Sequence, residues 1–463
     1  MNFNMNMRTV SFFRTAVRFT SLTILALALT GTPALHAAPS TNQPGWLTQP
    51  LSLADALNTA LQNNRTIRKS QRDLEAAQGI SLQTRALAVP KVQATGSYSA
   101  TDPAAAEQFF PGQTIVDQNW DSSIQVVQSI YEGGRLVSSW RAAKLTKEQA
   151  FLQHQTVTAD TLLATRVAYY DVLVAAQDIV VRDASVNLLA KELDEEQRRY
   201  NAGTVPRFNV LRAEVAVANA RPALIRARNN HRVAKNNLTQ LLGYDLPREV
   251  WENIPLQLTD TLNVPPFTIE LPAAIQQALE RRTELGALRK AEQLRKEDIT
   301  SAKSGRLPSL QAFAGWGWRN SSLTTDLRDD IDGWRVGVQM NWNIFDGFAT
   351  RGKVVQAKAA HEKSLVELDD TGSKIELEVR TAYSVFIGAS EVLESQKKVQ
   401  EQAEEALRLA KSRTDAGSGT QLDVLSAETA LTEARTTQIQ AQYEYAVAVA
   451  KLERAIGMFS KTK

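Results

Sequence analysis

The chain contains the same pattern twice, and this duplication constrains its fold more than any other feature. Residues 197–215 read QRRYNAGTVPRFNVLRAEV, and residues 411–429, 214 positions later, read KSRTDAGSGTQLDVLSAET. Repeats of about 200 residues are too long for the units of a solenoid. The sequence therefore predicts one architecture built twice, divided into a first repeat (39–243), a linker or equatorial segment (244–270), a second repeat (271–458) and a C-terminal tail (459–463).

The N-terminal residues predict an export signal. Arg8, Arg14 and Arg18 precede a short apolar run at 21–29, and small residues around Ala37 follow. This order is typical of a signal peptide, and the run is too short for a permanent transmembrane helix. We expect residues 1–38 to be removed.

Charge and cysteine content exclude several classes of protein. The net charge of +3 resides in the three arginines of residues 1–38, so the mature chain is near neutral. We therefore expect no nucleic-acid partner. The chain has no cysteine, which excludes disulfides, thiolate metal sites and a lipid attached to cysteine.

Each repeat begins with a helical pattern that ends at a proline. Apolar residues follow a helical spacing from Leu53 onward, and the pattern recurs in the second repeat. Pro90 and Pro308 interrupt it. The sequence predicts helices over 53–89 and 271–307.

After each proline the apolar period changes from 3.6 to 2, which predicts strands. The alternation is clearest from Trp334 to Ile344, where every second residue is apolar. Segments of about ten residues with one apolar and one polar face are typical of transmembrane β-barrels. The predicted strands are 91–100, 121–131, 309–318 and 334–345, with exposed loops between the members of each pair.

Five of the eight tryptophans lie in or beside these strands. Tryptophan concentrates at membrane–water interfaces because its ring is apolar and its N–H is polar. A soluble amphipathic sheet remains the alternative explanation. The predicted aromatic girdle comprises Trp120, Trp316, Trp318, Trp334 and Trp342.

The longest predicted element covers 135–202, which contains 68 residues without glycine or proline. A helix of this length extends roughly 100 Å and needs a helical partner. Its counterpart is 353–416, and returning helices are predicted over 206–242 and 420–456. In each repeat, the helix before the strands and the returning helix could stack end to end along the long one.

Four strands per chain cannot close a barrel, because the smallest single-chain barrels need eight. The chain must therefore oligomerise. A homotrimer would supply twelve strands.

The order of these elements resembles the TolC-type outer-membrane efflux proteins. The residues that carry the resemblance are 53–57 (LADAL), 199–206 (RYNAGTVP) and 416–425 (AGSGTQLDVL). It implies a mainly α-helical fold, with long helices forming a barrel and four transmembrane β-strands per chain contributing to a trimeric twelve-stranded outer-membrane barrel. It also implies residence in the outer membrane of a Gram-negative bacterium, in contact with outer-membrane lipid. A periplasmic adaptor and an inner-membrane transporter of the RND or ABC type would be partners in efflux or type I secretion.

The resemblance assigns the two helix-reversing turns to the periplasmic entrance. Asp423 occupies a position that is acidic in known members, and three copies would form a ring that favours cations. The alternative is a solvated carboxylate that complements the helix dipole. The predicted gate residues are Asp423, Asn209, Ser426 and Arg212, and the predicted adaptor-contact residues are Gly203, Thr204, Val205, Pro206, Gly417, Ser418 and Gly419.

The sequence departs from the family at several gate positions. Asn209 and Ser426 lie where the family can carry acidic residues, and Thr414 and Gly419 lie where a tyrosine and an arginine help to lock the closed entrance. We therefore expect the closed state to be held less by charged contacts, or by different ones, with Arg413 as one candidate.

No catalytic constellation, metal site or cofactor site is predicted. The histidines at 154, 231 and 361 do not have metal-binding spacing, and the glycine-rich segment at 416–420 lacks the lysine of a P-loop. An enzyme is therefore not expected. Two non-enzyme alternatives remain, a trimeric surface adhesin and a periplasmic coiled-coil scaffold.

Overall fold

The computed structural model describes residues 49–102, 118–245, 254–320 and 326–458. The predicted signal peptide (1–38), the C-terminal tail (459–463) and parts of both predicted strand loops and of the linker lie outside the described residues.

The first repeat consists of helices and strands in the predicted order. Two short helices precede a hairpin of strands, and a long helix and a returning helix follow. The elements are β1 (Pro50–Leu51), α1 (Leu53–Asn63), α2 (Arg65–Arg85), β2 (Lys91–Ala100), β3 (Gln118–Glu132), α3 (Arg135–Asn201) and α4 (Arg207–Leu241).

The second repeat has the same order. Its elements are β4 (Gln257–Leu258), α5 (Leu271–Arg281), α6 (Thr283–Lys303), β5 (Ser309–Asn320), β6 (Asp330–Asn341), α7 (Ala349–Asp415) and α8 (Gln421–Ala455). Short 3₁₀ turns at Ala86–Ala88 and Ser304–Arg306 connect α2 and α6 to their strands.

The prediction of continuous helices over 53–89 and 271–307 is wrong, because one extended residue breaks each helix. Asn64 has non-helical backbone angles, and its side-chain oxygen caps α2 by accepting from the Thr66 and Ile67 amides. Its amide nitrogen donates to the Leu241 carbonyl at 2.7 Å. The extended residue therefore forms a joint between the start of α2 and the end of α4.

The second repeat builds the same joint with a different residue. Arg282 is extended, and its guanidinium donates to the Ala455 carbonyl at the end of α8. The backbone also approaches closely at both joints. Gly243 (φ 81°) and Gly457 (φ 79°) lie so near the Asn63 and Arg281 positions that a Cβ would come within 2.4 and 3.0 Å of a neighbouring atom, respectively. Only glycine satisfies both the positive φ and the contact.

The helices form two layers that share the long helices. Nearer the strands, neighbouring helices follow the order α2–α3–α6–α7. Nearer the far turns, the order is α4–α3–α8–α7. As predicted, the helices before and after each long helix divide its length between them.

The four long strands form one antiparallel sheet in the order β2–β3–β5–β6. The two repeats are joined at β3 and β5, with a register shift between Ser129 and Tyr131. Within the described chain, β2 and β6 each have one unpaired edge.

The strand predicted over 334–345 is misplaced. β6 covers Asp330–Asn341, so Trp342 lies just outside it. The following residues turn the chain into α7, which begins at Ala349 rather than at 353, and Asp346 caps that helix by accepting from the Thr350 amide at 2.7 Å. β3 and β5 extend slightly beyond the predicted 121–131 and 309–318.

The main apolar core lies in the middle of the molecule. Tyr169, Leu238 and Leu242 are fully buried there, and the Tyr169 hydroxyl donates to the Leu51 carbonyl. The parallel pair β1–β4, which the sequence did not predict, borders this core. Leu256 and Leu262 of the predicted linker are also buried in it, so this part of the linker is a packed element.

Candidate functional site

Two hairpin turns mark the ends of α3 and α7 that are remote from the sheet. Each long helix has 67 residues, so about 100 Å separates the strands from the turns. The pore and adaptor-contact residues predicted from the sequence lie at or next to these turns.

The first turn reverses the chain between α3 and α4. Gly203 has a φ of 74°, and the Thr204 amide and hydroxyl both donate to the Arg199 carbonyl. This arrangement satisfies carbonyls at the end of α3. Pro206 then caps the start of α4, where its missing N–H costs no hydrogen bond.

The second turn follows the same plan with a tighter approach. Gly417 has a φ of 71°, and the Ser418 amide donates to the Arg413 carbonyl at 2.9 Å. A Cβ on Gly419 would lie 2.9 Å from the Thr414 backbone nitrogen. Local packing therefore disfavours a side chain at position 419.

Asp423 lies in the first turn of α8 and forms a capping box with Thr420. Its carboxylate accepts from the Thr420 amide at 2.9 Å, and its own amide donates to the Thr420 hydroxyl. The hydrogen bond from the Thr420 backbone, with that from its hydroxyl, lowers the pKa of Asp423 below its ordinary value. The carboxylate is exposed and ionised, so it can fulfil the capping role and also face an aqueous channel.

The other predicted gate residues lie at equivalent positions near the starts of α8 and α4. Ser426 follows Asp423 by one turn of α8 and is exposed, while Asn209 and Arg212 are one turn apart on α4 and half-buried. Arg212 lines a small cavity with Gln421 of α8. No ion pair of Arg413 is found in the described part of the chain, although its charge contributes to lowering the pKa of Asp423.

The sequence did not single out a buried carboxylate close to the second turn. Glu428 of α8 is 4% exposed, and neither of its carboxylate oxygens accepts a hydrogen bond from a described residue. The Lys411 ammonium of α7 lies 3.5 Å from it and 3.9 Å from Glu192 of α3. Burial, and then the charge of Glu192, raise the pKa of Glu428 to about 7.

The only sequence feature that could have drawn attention to Glu428 is its place in the repeated Ala-Glu pair. Glu214 occupies the position equivalent to Glu428 in the first repeat and is exposed. The same motif therefore places one glutamate in solvent and the other in the interior. α8 packs extensively against both α3 and α7, whereas α4 packs extensively only against α3 within the described chain, which is consistent with this difference.

At the opposite end, one face of the sheet is apolar and exposed. Trp334, Val336, Val338 and Met340 are each at least 63% exposed. The strand register places Trp316 opposite both Trp334 and Ile124, and Trp120 opposite Tyr98. The other face carries polar side chains, including Gln93, Gln125, Arg335 and Gln339.

The tryptophans divide between the two ends of this apolar face. Trp120, Trp316, Trp318 and Trp334 lie toward the loop end, and Trp342 lies next to α7. The eight steps along the chain from Trp334 to Trp342 correspond to about 25 Å of extended chain. Indole N–H groups donate to oxygens at both levels, from Trp316 to Asp332 and from Trp342 to the Arg306 carbonyl.

The described residues contain no cluster of three histidine or acidic side chains able to hold a metal ion. None of their helices is both long and apolar enough to cross a membrane.

Comparison with known proteins identifies the family. The model of the family described as "Outer membrane efflux protein" matches residues 56–244 and 274–458. The chain belongs to the outer membrane efflux protein family. The family and the fold class predicted from the sequence, with long helices and four strands per chain, are confirmed, as is the outer membrane as the location.

Individual members of the outer membrane efflux family are distant but match along most of the chain. "Outer membrane protein TolC" of Escherichia coli K12 is 24% identical over 90% of this chain and 84% of its own. "Alkaline protease secretion protein AprF" of Pseudomonas aeruginosa is 23% identical over 89% and 85%. The Campylobacter jejuni CmeC outer membrane channel superposes with a TM-score of 0.78 at 18% identity, covering 88% of this chain and 85% of its own.

Proposed function

We propose that three copies of this chain form a passive exit duct through the outer membrane and the periplasm. The cargo would enter at the two turns and leave through the strands. Energy would come from an inner-membrane transporter, which an adaptor links to the duct. Efflux and protease secretion are both named among the relatives, by an efflux family and by a protease secretion protein.

The observation that carries this proposal is that the chain is open on the same two sides along its whole length. The sheet ends at β2 and β6, and the helical layers end at α2 or α4 and at α7. A sector with two different edges closes into a ring when one edge meets the other edge of the next copy. Three sectors would contain twelve strands.

Exposed apolar side chains on these edges support closure through helix packing. On α4, Phe208, Leu211 and Val215 follow coiled-coil spacing and are 47–67% exposed. On α7, Val392 and Val399 are exposed at a spacing of seven. These two stripes are the surfaces that we expect to meet between neighbouring subunits.

The sheet faces support the membrane assignment. An apolar band about 25 Å tall with aromatic residues at both borders matches the lipid-facing surface of outer-membrane barrels. The polar face with Arg335 and Gln339 would line the channel. We accordingly assign Trp120, Trp316, Trp318, Trp334 and Trp342 to the two interfaces with lipid headgroups.

The turns are the proposed entrance and adaptor contacts. Asp423 and Ser426 of each subunit would surround the pore, with Asn209 and Arg212 from the first repeat nearby. Residues 203–206 and 417–419 are the most remote from the membrane and would contact the adaptor.

Fractionation and reconstitution test the proposal. The protein should be recovered in the outer-membrane fraction, have the mass of three chains in detergent, and form ion channels in planar lipid bilayers. Recovery in the soluble periplasmic fraction would instead support a coiled-coil scaffold. A protein that is a monomer and conducts no ions in bilayers would also overturn the proposal.

A further inference from the structure

The buried carboxylate Glu428 lies where both repeats meet, close to the proposed entrance. It is eight residues beyond Thr420, or about 12 Å along α8 from the second turn. Leu189 and Glu192 of α3 and Arg212 of α4 line the same small cavity. Lys411 approaches it from α7. Four helices, two from each repeat, thus surround one acidic side chain.

At this cavity two carboxylates compete for one closely placed cation. Two carboxylates, Glu192 and Glu428, share the Lys411 ammonium at 3.9 and 3.5 Å. Glu196, one turn further along α3, is 2% exposed and lies 3.6 Å from Arg199. Arg212 also lines the cavity, but it forms no ion pair with either carboxylate within the described residues. Burial, with the charges of Glu195 and Glu196, also raises the pKa of Glu192, so the two carboxylates do not readily ionise together. An ionised Glu428 is therefore buried without a hydrogen bond, which is unfavourable unless the group takes up a proton.

We propose that Glu428, Lys411 and Glu192 form a proton-sensitive link that holds α8 against α3 at the closed entrance. The inference depends on the proposed channel function. With Glu428 protonated, one carboxylate faces one ammonium and the packing of the two repeats is favoured. With Glu428 ionised, a second buried negative charge weakens that packing and favours separation of the helices.

The direction of the pH dependence follows from the pKa. Burial and the charge of Glu192 raise the pKa of Glu428 to about 7 from an ordinary value of 4.5. Below pH 4.5 the group is protonated in both the packed and the separated states. Between pH 4.5 and 7 only the packed state retains the proton. The packed state is therefore disfavoured as pH rises toward 7, by up to roughly 300-fold per subunit for a shift of 2.5 units.

The other acidic residue proposed for the entrance does not titrate in this range. The Thr420 hydrogen bonds lower the pKa of Asp423, so its charge is constant above pH 5. A change in gating between pH 5.5 and 8.5 would therefore not come from Asp423. Histidines 154, 231 and 361 do not line this cavity.

Single-channel recording of the full-length trimer between pH 5.5 and 8.5 tests the link. For the unmodified chain we expect open probability to increase with pH, with a midpoint near 7. Glu428→Gln is neutral at every pH and should remove this midpoint while keeping the channel mostly closed. Lys411→Met removes the positive neighbour and should move the midpoint to higher pH.

Glu214→Gln is the matched control, because it changes the same motif position where the side chain is exposed. It should leave the midpoint unchanged. If Glu428→Gln retains the unmodified midpoint, the link is refuted although the channel function stands. If the unmodified protein forms no channel in the bilayer, the proposed function itself fails. If Glu428→Gln does not form a trimer in detergent, the Lys411→Met variant decides the question. A Lys411→Met midpoint equal to that of the unmodified protein would then overturn the link.

Discussion

Arg454 of α8 lies 2.6 Å from Glu284 of α6, deep in the middle of the molecule. The arginine side chain is only 7% exposed and also contacts Asp160 of α3. Glu284 in turn contacts Arg282, which holds the end of α8 at the second joint. One carboxylate therefore connects the helical layer nearer the strands with the layer nearer the far turns, through two buried guanidinium groups.

Replacing Glu284 by alanine should destabilise the fold. Removal would leave Arg454 and Arg282 buried with one carboxylate partner each, and an incompletely paired buried charge is costly. We expect a loss of about 2 kcal/mol per subunit, seen as a lower melting temperature by circular dichroism. Asp370→Ala, which breaks an exposed pair with Lys374, should cause no measurable change. Equal effects of the two substitutions would contradict a special role for the buried network.

Because of Glu284, the fold should also become less stable in acid. Burial raises its pKa, but the Arg454 and Arg282 charges outweigh burial and leave the pKa of Glu284 below its ordinary value. Its contribution is therefore present above the unfolded-state pKa near 4.3 and is lost as pH falls through the lower folded-state pKa. The difference in stability between the unmodified protein and Glu284→Ala should narrow below pH 4. A difference that is constant down to pH 3 would exclude this carboxylate as the source.

Much of the fold could be predicted because periodicity and glycine placement are local properties. The change from a period of 3.6 to 2 after Pro90 and Pro308 predicted the existence of all four long strands, although it placed β6 four residues too late, and Gly203 and Gly417 located both far turns. The breaks at Asn64 and Arg282 could not be predicted, since their partners are carbonyls 177 and 173 residues away, respectively. No local pattern reports such contacts.

At the candidate site, the sequence predicted only those roles that depend on residues close together in the chain. Asp423 could be proposed both as a helix-start residue and as a pore residue, and the first role is visible in its hydrogen bonds to Thr420. Glu428 was missed because its burial depends on α3 and α7, whose packing the sequence does not specify. Its equivalent, Glu214, ends the same Val-Leu-x-Ala-Glu motif but is exposed.

The two faces of β6 should respond differently to a new charge. Val338 lies at the centre of the apolar face, and Gln339 points to the polar face. Val338→Arg should cost about 2–4 kcal/mol in the membrane, whereas Gln339→Arg should be tolerated. The yield of trimer in the outer-membrane fraction measures both. Similar yields for the two variants would count against a lipid-facing apolar band.

The exposed stripe on α4 should be needed for assembly. Leu211→Glu introduces a charge into the surface that we assign to the neighbouring subunit, so the trimer should dissociate at lower detergent concentration. The helical content of each chain should not change. Val180→Glu is the control, because Val180 is 68% exposed on α3, which has a neighbour on both sides. Sedimentation in detergent distinguishes the variants, and an intact Leu211→Glu trimer would remove α4 from the subunit interface.

Substitutions of Asp423 can separate its two roles. Asp423→Asn keeps an oxygen that accepts from the Thr420 amide, but it removes the negative charge. Asp423→Ala removes both. If three Asp423 carboxylates surround the pore, both variants should weaken block of single-channel conductance by multivalent cations, by about tenfold or more in blocking concentration on the scale of 1.4 kcal/mol per decade. Asp55, which also pairs with a helix-capping residue, Ser52, supplies the control Asp55→Asn. Multivalent cations should block the Asp55→Asn channel as strongly as the unmodified channel. If they also block the Asp423→Asn channel as strongly, Asp423 only caps α8 and does not line the pore.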